Sequence, residues 1–262
     1  MGENMIKSLS NGVSGMRASQ LKMDVVGNNV ANVQTTAYKR SKPNFAEVVR
    51  QALGDQGIPS TEDPRPQEGS GVKLVSIQRV DTQGILNPTG RSLDIAIDGT
   101  GYFKVISPDD DREYYTRDGN FYINNEGIII NSLGYALEPE MTLPEDYTSF
   151  SIDEKGLITA QLNDGTEEEI GTIELYSFPA PNALLAEGNN LFSETEASGE
   201  AVSGEAGEEG FGLIKQGYLE SSNVDITQEM VSMIEAQRAY SLNARTVQTA
   251  DRMWEQANNL RK

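Results

Sequence analysis

Apolar residues recur every three to four positions at both ends of this chain and every second position between them. From residue 5 to 33, alternate steps of three and four fall on Ile6, Leu9, Val13, Met16, Gln20, Met23, Gly27 and Val30. Six of these eight are apolar, which is the seam of a helix packed along one face. The helix is expected to stop near Asn32, because Gln34-Thr35-Thr36 lowers the helical propensity. At the other end, Asp225 with Gln228 three residues later reads as a capping pair. The seam behind it runs Ile226, Met230, Met233, Gln237, Tyr240, Ala244, Val247, Asp251 and Trp254. A second stripe (Ala250, Met253, Ala257, Leu260) lies on an adjacent face, so this helix has two neighbours to satisfy.

In the middle the period becomes two. Leu93, Ile95 and Ile97 alternate with Asp94, Ala96 and Asp98, as in a half-buried strand. Val72–Ile77, Tyr102–Ile106, Gly127–Ile130 and Ile170–Leu175 have strand character too. Turn signals separate them at Asp98-Gly99, Asp118-Gly119, Asn125-Glu126-Gly127 and Asn163-Asp164-Gly165. Two stretches read as loose: Gly54 to Gly71 as an extended arm or linker, and the acidic, glycine-rich Ser198 to Gly212 as a surface loop. The expected class is α+β, with a β-rich central region between two terminal helices. Those helices can pair with each other as a coiled coil, or with copies from other subunits.

Charge sharpens this layout. The net charge is -19, which argues against nucleic acid as a partner. Residues 1–50 hold 7 basic and 3 acidic residues, and residues 221–262 hold 5 of each, so the ends sum to +4 and the middle carries -23. Acidity confined to the middle solvates that part and leaves the ends free to pack. The chain has no cysteine and no histidine. Thiolate chemistry, Ser-His-Asp triads and histidine zinc sites are therefore outside its reach. No run of about 18 apolar residues offers a membrane span. Met1-Gly2-Glu3-Asn4-Met5-Ile6-Lys7 also lacks the pattern of a cleaved signal.

Catalytic and binding motifs are weak. Gly99-Thr100-Gly101 is followed by a strand and has no glycine at 104, unlike a nucleotide loop. Asp109-Asp110-Asp111 lacks the alternating ligands and closing glutamate of a calcium loop and reads as a solvated turn. Trp254 sits on the helical seam, where packing is the simpler role than sugar stacking.

Longer motifs carry more. Ser14-Gly15-Met16-Arg17-Ala18-Ser19-Gln20 leads into Asp24-Val25-Val26-Gly27-Asn28-Asn29-Val30-Ala31-Asn32-Val33-Gln34-Thr35-Thr36-Ala37-Tyr38-Lys39-Arg40. Near the other end stand Gln216-Gly217-Tyr218-Leu219-Glu220-Ser221-Ser222-Asn223-Val224-Asp225 and Glu229-Met230-Val231-Ser232-Met233-Ile234-Glu235-Ala236-Gln237-Arg238-Ala239-Tyr240. With Leu93–Gly99, Tyr115–Phe121 and Gly188–Phe192, they make the whole chain resemble the flagellar rod and hook proteins. One departure is Ala37, where that family usually has glycine.

The resemblance implies a structural subunit, not an enzyme, with no cofactor or metal. It implies inner-tube helices at 1–36 and 213–262 (the latter with a connector), a connecting arm at 37–71, and an outer β-rich region at 72–212. Subunit contacts would then fall on Ile6, Leu9, Val13, Met16, Met23, Val30, Ile226, Met230, Met233, Tyr240, Val247 and Trp254. The resemblance further implies self-assembly into a helical polymer, and export through the flagellum's own export apparatus without signal cleavage. Its partners would be hook and proximal rod subunits and the surrounding ring proteins, in an extracytoplasmic location. The 54–71 stretch favours the distal-rod type, with a hook subunit or another rod subunit of the same family as the alternative.

Overall fold

The computed structural model describes residues 2–49, 69–108, 110–144 and 147–259. Most of the 54–71 arm, together with Asp109 and Leu260, lies outside the described residues. The chain divides into two compact units.

The first unit holds residues 1–31, 41–79 and 225–262. Helix α1 spans Gly2–Ala31, close to the sequence expectation. Strands β1 (Ser41–Val49) and β2 (Gly69–Arg79) form an antiparallel pair with register shifts at Asn44/Phe45 and Glu47/Val49. Helix α2 spans Ile226–Asn259. It begins where the sequence places it, because the Asp225 carboxylate accepts the free backbone N–H groups of Thr227 and Gln228 at 2.8 and 3.2 Å.

The second unit holds residues 32–40 and 80–224 and is predominantly β. Its first strands are β3 (Leu86–Pro88), β4 (Ile95–Asp98), β5 (Phe103–Ile106), β6 (Glu113–Thr116), β7 (Phe121–Ile123), β8 (Ile129–Asn131) and β9 (Ala136–Leu137). Next come β10 (Tyr147–Ile152), β11 (Leu157–Leu162), β12 (Glu167–Thr172) and β13 (Glu174–Ser177). The last are β14 (Leu185–Gly188), β15 (Leu191–Ser193), β16 (Val202–Glu205), β17 (Leu213–Gln216) and β18 (Tyr218–Glu220). The main sheet has seven strands in the order β14-β15-β6-β5-β9-β8-β7, beside a β10-β11-β12 meander and the pairs β17-β4, β18-β3 and β13-β16. One core gathers Ile95, Ile97, Phe103, Phe121, Leu137, Ile158, Ile173, Leu175 and Ile214. A second, aromatic cluster joins Tyr102, Tyr115, Tyr176, Phe178, Leu184 and Phe192.

Three sequence expectations need correction here. Strand β4 is buried on both faces rather than one: Asp94 and Ala96 are as enclosed as Ile95 and Ile97. Alanine needs little room, and the Asp94 carboxylate lies 3.2 Å from the Arg91 guanidinium. The 170–175 stretch is not one strand. It breaks at Ile173, whose side chain is fully buried between β12 and β13. The 198–212 stretch is not all surface loop either, since β16 pairs with β13 and both Ser198 and Ala206 are buried.

Candidate assembly interface

Helices α1 and α2 run antiparallel. Position 12 lies opposite Val247, position 15 opposite Asn243, Lys22 opposite Glu235 and Asn29 opposite Glu229. A Cβ added to Gly12 would come within 2.8 Å of Val247 Cγ2, and one added to Gly15 within 2.6 Å of Asn243 Nδ2. The glycines are thus what allows the helices to approach this closely. Lys22 Nζ pairs with Glu235 at 3.3 Å, and at the far end Asn29 Nδ2 donates to Glu229 Oε2 at 3.2 Å. Asn29 also accepts the Ser41 N–H at 2.8 Å and donates to the Ser41 carbonyl at 2.9 Å, tying the end of α1 to the start of β1.

The paired face is Gly12, Gly15, Ser19, Lys22, Val26 and Asn29 against Glu229, Ala236, Asn243, Val247 and Ala250. It lies about one residue away from the apolar stripe read from the sequence. Small and polar side chains hid it, because they add nothing to a hydrophobic period. Apart from Val247, which packs against position 12, the stripe is left partly or wholly open. Val13, Met16, Met23, Val30, Met233 and Val247 are half-buried. Leu9, Ile226 (44 %), Met230 (54 %), Tyr240 (39 %) and Trp254 (43 %) are exposed, as are Ile234 and Leu242. Residue 6 lies in α1, with its side chain outside the described residues. Gln237 and Arg238 are exposed on α2, and Asn28 and Ala31 on α1.

The β hairpin covers part of α1. The Ser14 hydroxyl donates to the Asn11 carbonyl at 2.9 Å and accepts the Val72 N–H at 3.4 Å. Between α1 and β2 lies an open groove of about 450 Å³, bordered by Ser10, Val13, Arg17, Leu21, Val72 and Lys73.

The remaining motif residues hold a buried charged joint at the point where the chain enters and leaves the second unit. Lys39, Glu220 and Arg117 meet with side chains 3 %, 1 % and 8 % exposed. Lys39 Nζ lies 2.5 Å from Glu220 Oε1 and donates to the Thr82 carbonyl at 3.0 Å. Arg117 reaches Glu220 Oε2 at 3.3 Å and the Gly99 carbonyl at 2.7 Å. Glu220 Oε1 also accepts the Gly84 N–H at 2.7 Å, and the Glu220 carbonyl accepts the Ala37 N–H at 2.8 Å. Burial pulls the Lys39 ammonium below its usual range, with Glu220 opposing.

Asn223 laces the same place. Its amide donates to the carbonyls of Val80 and Thr82, both at 2.8 Å, and its carbonyl accepts the Arg40 N–H at 2.7 Å. Gln216 spans Ser92 and Ile152 at 2.9 and 3.1 Å, and Gly217 turns the chain at φ +77°. Val224 is buried at the threshold of α2. Thr36 donates to Asp118 at 2.9 Å, and burial raises the Asp118 carboxyl above its ordinary range despite that bond. The turn after α1 passes through Ala37 at φ +56°, a left-handed conformation that glycine adopts without strain. The motif residues in this joint hold together the two segments through which the chain enters and leaves the second unit. Among the described residues, no group of three or more Asp or Glu side chains could hold a metal, and no helix is long and apolar enough to cross a membrane.

Three family profiles match this chain in order. "Flagella basal body rod protein" covers residues 9–39, "Flagellar hook protein FlgE/F/G D1 domain" covers 96–160, and "Flagellar basal body rod FlgEFG protein C-terminal" covers 215–260. The flagellar basal-body rod protein FlgG of Borreliella burgdorferi is 40% identical over 98% of this chain and 100% of its own length. The chain belongs to the flagellar basal-body rod protein family. FlgG of Caulobacter vibrioides is 38% identical over 98% of this chain and all of its own length. The flagellar hook-basal body complex protein FlhP of Bacillus subtilis is 31% identical over the same shares. As a member of the rod family, this chain is a structural subunit of the flagellar basal body.

Proposed function

We propose that this rod-family chain polymerises into the distal rod and there transmits torque from the motor to the hook. The observation that carries the reading is the apolar surface left open on α2, where Ile226, Met230, Ile234, Leu242 and Trp254 all face solvent in a single chain. Apolar surface of this kind is stabilised when neighbouring subunits cover it. A head-to-tail contact that does not close on itself then builds a filament without further chemistry. In the assembled rod, α1 and α2 pair as a coiled coil in the inner tube and the acidic β unit lies outside. The near-neutral ends and the -23 of the middle support that division. The subunit contacts named from the sequence are the surfaces this packing would use. Hook and proximal rod subunits cap the two ends of the polymer, ring proteins surround it, and the flagellar export apparatus delivers it to an extracytoplasmic site.

The test is to delete residues 54–68 in the host and image purified flagellar bases by electron microscopy. A missing, shortened or bent rod is the expected result. A normal rod with an altered hook would transfer the chain to the hook.

A further inference from the structure

The groove between α1 and β2 is lined by the apolar Val13, Ala18, Leu21 and Val72 and by the cations Arg17 and Lys73. Both cations are exposed, and among the described residues neither pairs with a carboxylate of its own chain. Such a groove suits an apolar side chain flanked by carboxylates. The described surface of α2 carries one such element. Trp254 is 43 % exposed, and Asp251 and Glu255, one turn apart, flank it on one side of the helix. Neither carboxylate has an ion-pair partner among the described residues. We infer that this groove receives Trp254 from a second copy of the chain, with Asp251 and Glu255 against Arg17 and Lys73.

The helix register requires a second copy. Val247 lies opposite position 12, so Trp254 of the same chain lies opposite position 5. Arg17 is about twelve residues farther along α1, or ~18 Å at the rise of an α-helix. The donor turn of one copy therefore meets the groove of a copy displaced along the helix axis by that distance. Donor and acceptor are different surfaces, so the contact is heterologous and propagates instead of closing as a dimer. An aromatic anchor in a desolvated pocket supplies affinity, and the opposed charges beside it set the register.

This inference rests on the self-assembly reading, and the test separates the two. Trp254 is the sole tryptophan, so its emission reports the contact directly. The purified full chain is concentrated while Trp254 emission and sedimentation are followed together. Two charge-reversed variants are compared: Arg17→Glu with Lys73→Glu, and Asp251→Lys with Glu255→Lys. Circular dichroism checks that each is folded. The expected result is a blue shift of Trp254 in step with polymer formation. Each variant alone should need at least about tenfold more protein to assemble, and an equimolar mixture should recover both signals, because each variant complements the other. A polymer whose Trp254 emission does not move, or variants whose mixture stays unassembled, would overturn the groove assignment and leave self-assembly standing. No polymer at any concentration would remove the self-assembly reading as well.

Discussion

Replacing Glu220 by alanine isolates the energetics of the joint between the two chain ends. The substitution leaves the Lys39 ammonium and the Arg117 guanidinium enclosed without the carboxylate they share, and the Gly84 N–H without its acceptor. Breaking a buried pair from one side costs about 3–5 kcal/mol, because the penalty is that of an uncompensated buried charge. Glu220→Gln keeps an oxygen for Gly84 and should cost less. Adding Lys39→Met to Glu220→Ala should return part of the loss, since it removes one of the stranded cations. Urea unfolding of the full chain, followed by the β-sheet circular dichroism signal, measures all three. A Glu220→Ala loss below about 1 kcal/mol, or a Lys39→Met addition that only deepens it, would refute the reasoning.

Gly15→Val forces a Cβ to within 2.6 Å of Asn243 Nδ2 and should open the helix pair. Overpacking costs about 1–3 kcal/mol, read as lost amide protection at residues 12–26. Ala37→Gly should relieve the left-handed strain at φ +56° and raise the unfolding free energy of the β unit, measured in urea, by up to about 1 kcal/mol. The folded-state carboxyl of Asp118 is raised, so its contribution is fully present below the unfolded value of 3.8 and is lost as pH rises through the folded value. Asp118→Asn should therefore flatten that part of the stability profile, seen as a wild-type-minus-variant difference that grows on going from neutral to acid pH.

Helix α1 was legible from its period and the drop in helical propensity after Asn32, and α2 from period and capping, with Asp225 capping it as its sequence position suggests. The face that joins them was not. Gly12, Gly15, Ser19, Ala236 and Ala250 give no apolar signal, although close approach depends on their small size. The apolar stripe that the sequence does advertise is largely unburied in a single chain, which is what the proposed packing between subunits would use. The joint was hidden for a different reason. Lys39 and Glu220 stand 181 residues apart and look like surface charges until the fold encloses them. Conversely, the signature positions Asn29, Lys39, Gln216 and Asn223 stood out only through resemblance, and the structure supplies their hydrogen-bonded roles. The β core was readable strand by strand, but its two-sided burial at β4 was not, since Asp94 breaks the apolar pattern of a buried strand.

The location of the chain in the flagellum tests the central claim most directly. The Asn163-Asp164-Gly165 turn is open to solvent, and a Cβ added at Gly165 would meet nothing within 4 Å, so it should accept a short tag. Gold labelling of that tag on isolated basal bodies, imaged by electron microscopy, should decorate the outside of the rod just below the hook. Label along the hook, or absent from the flagellar axis, would contradict the account.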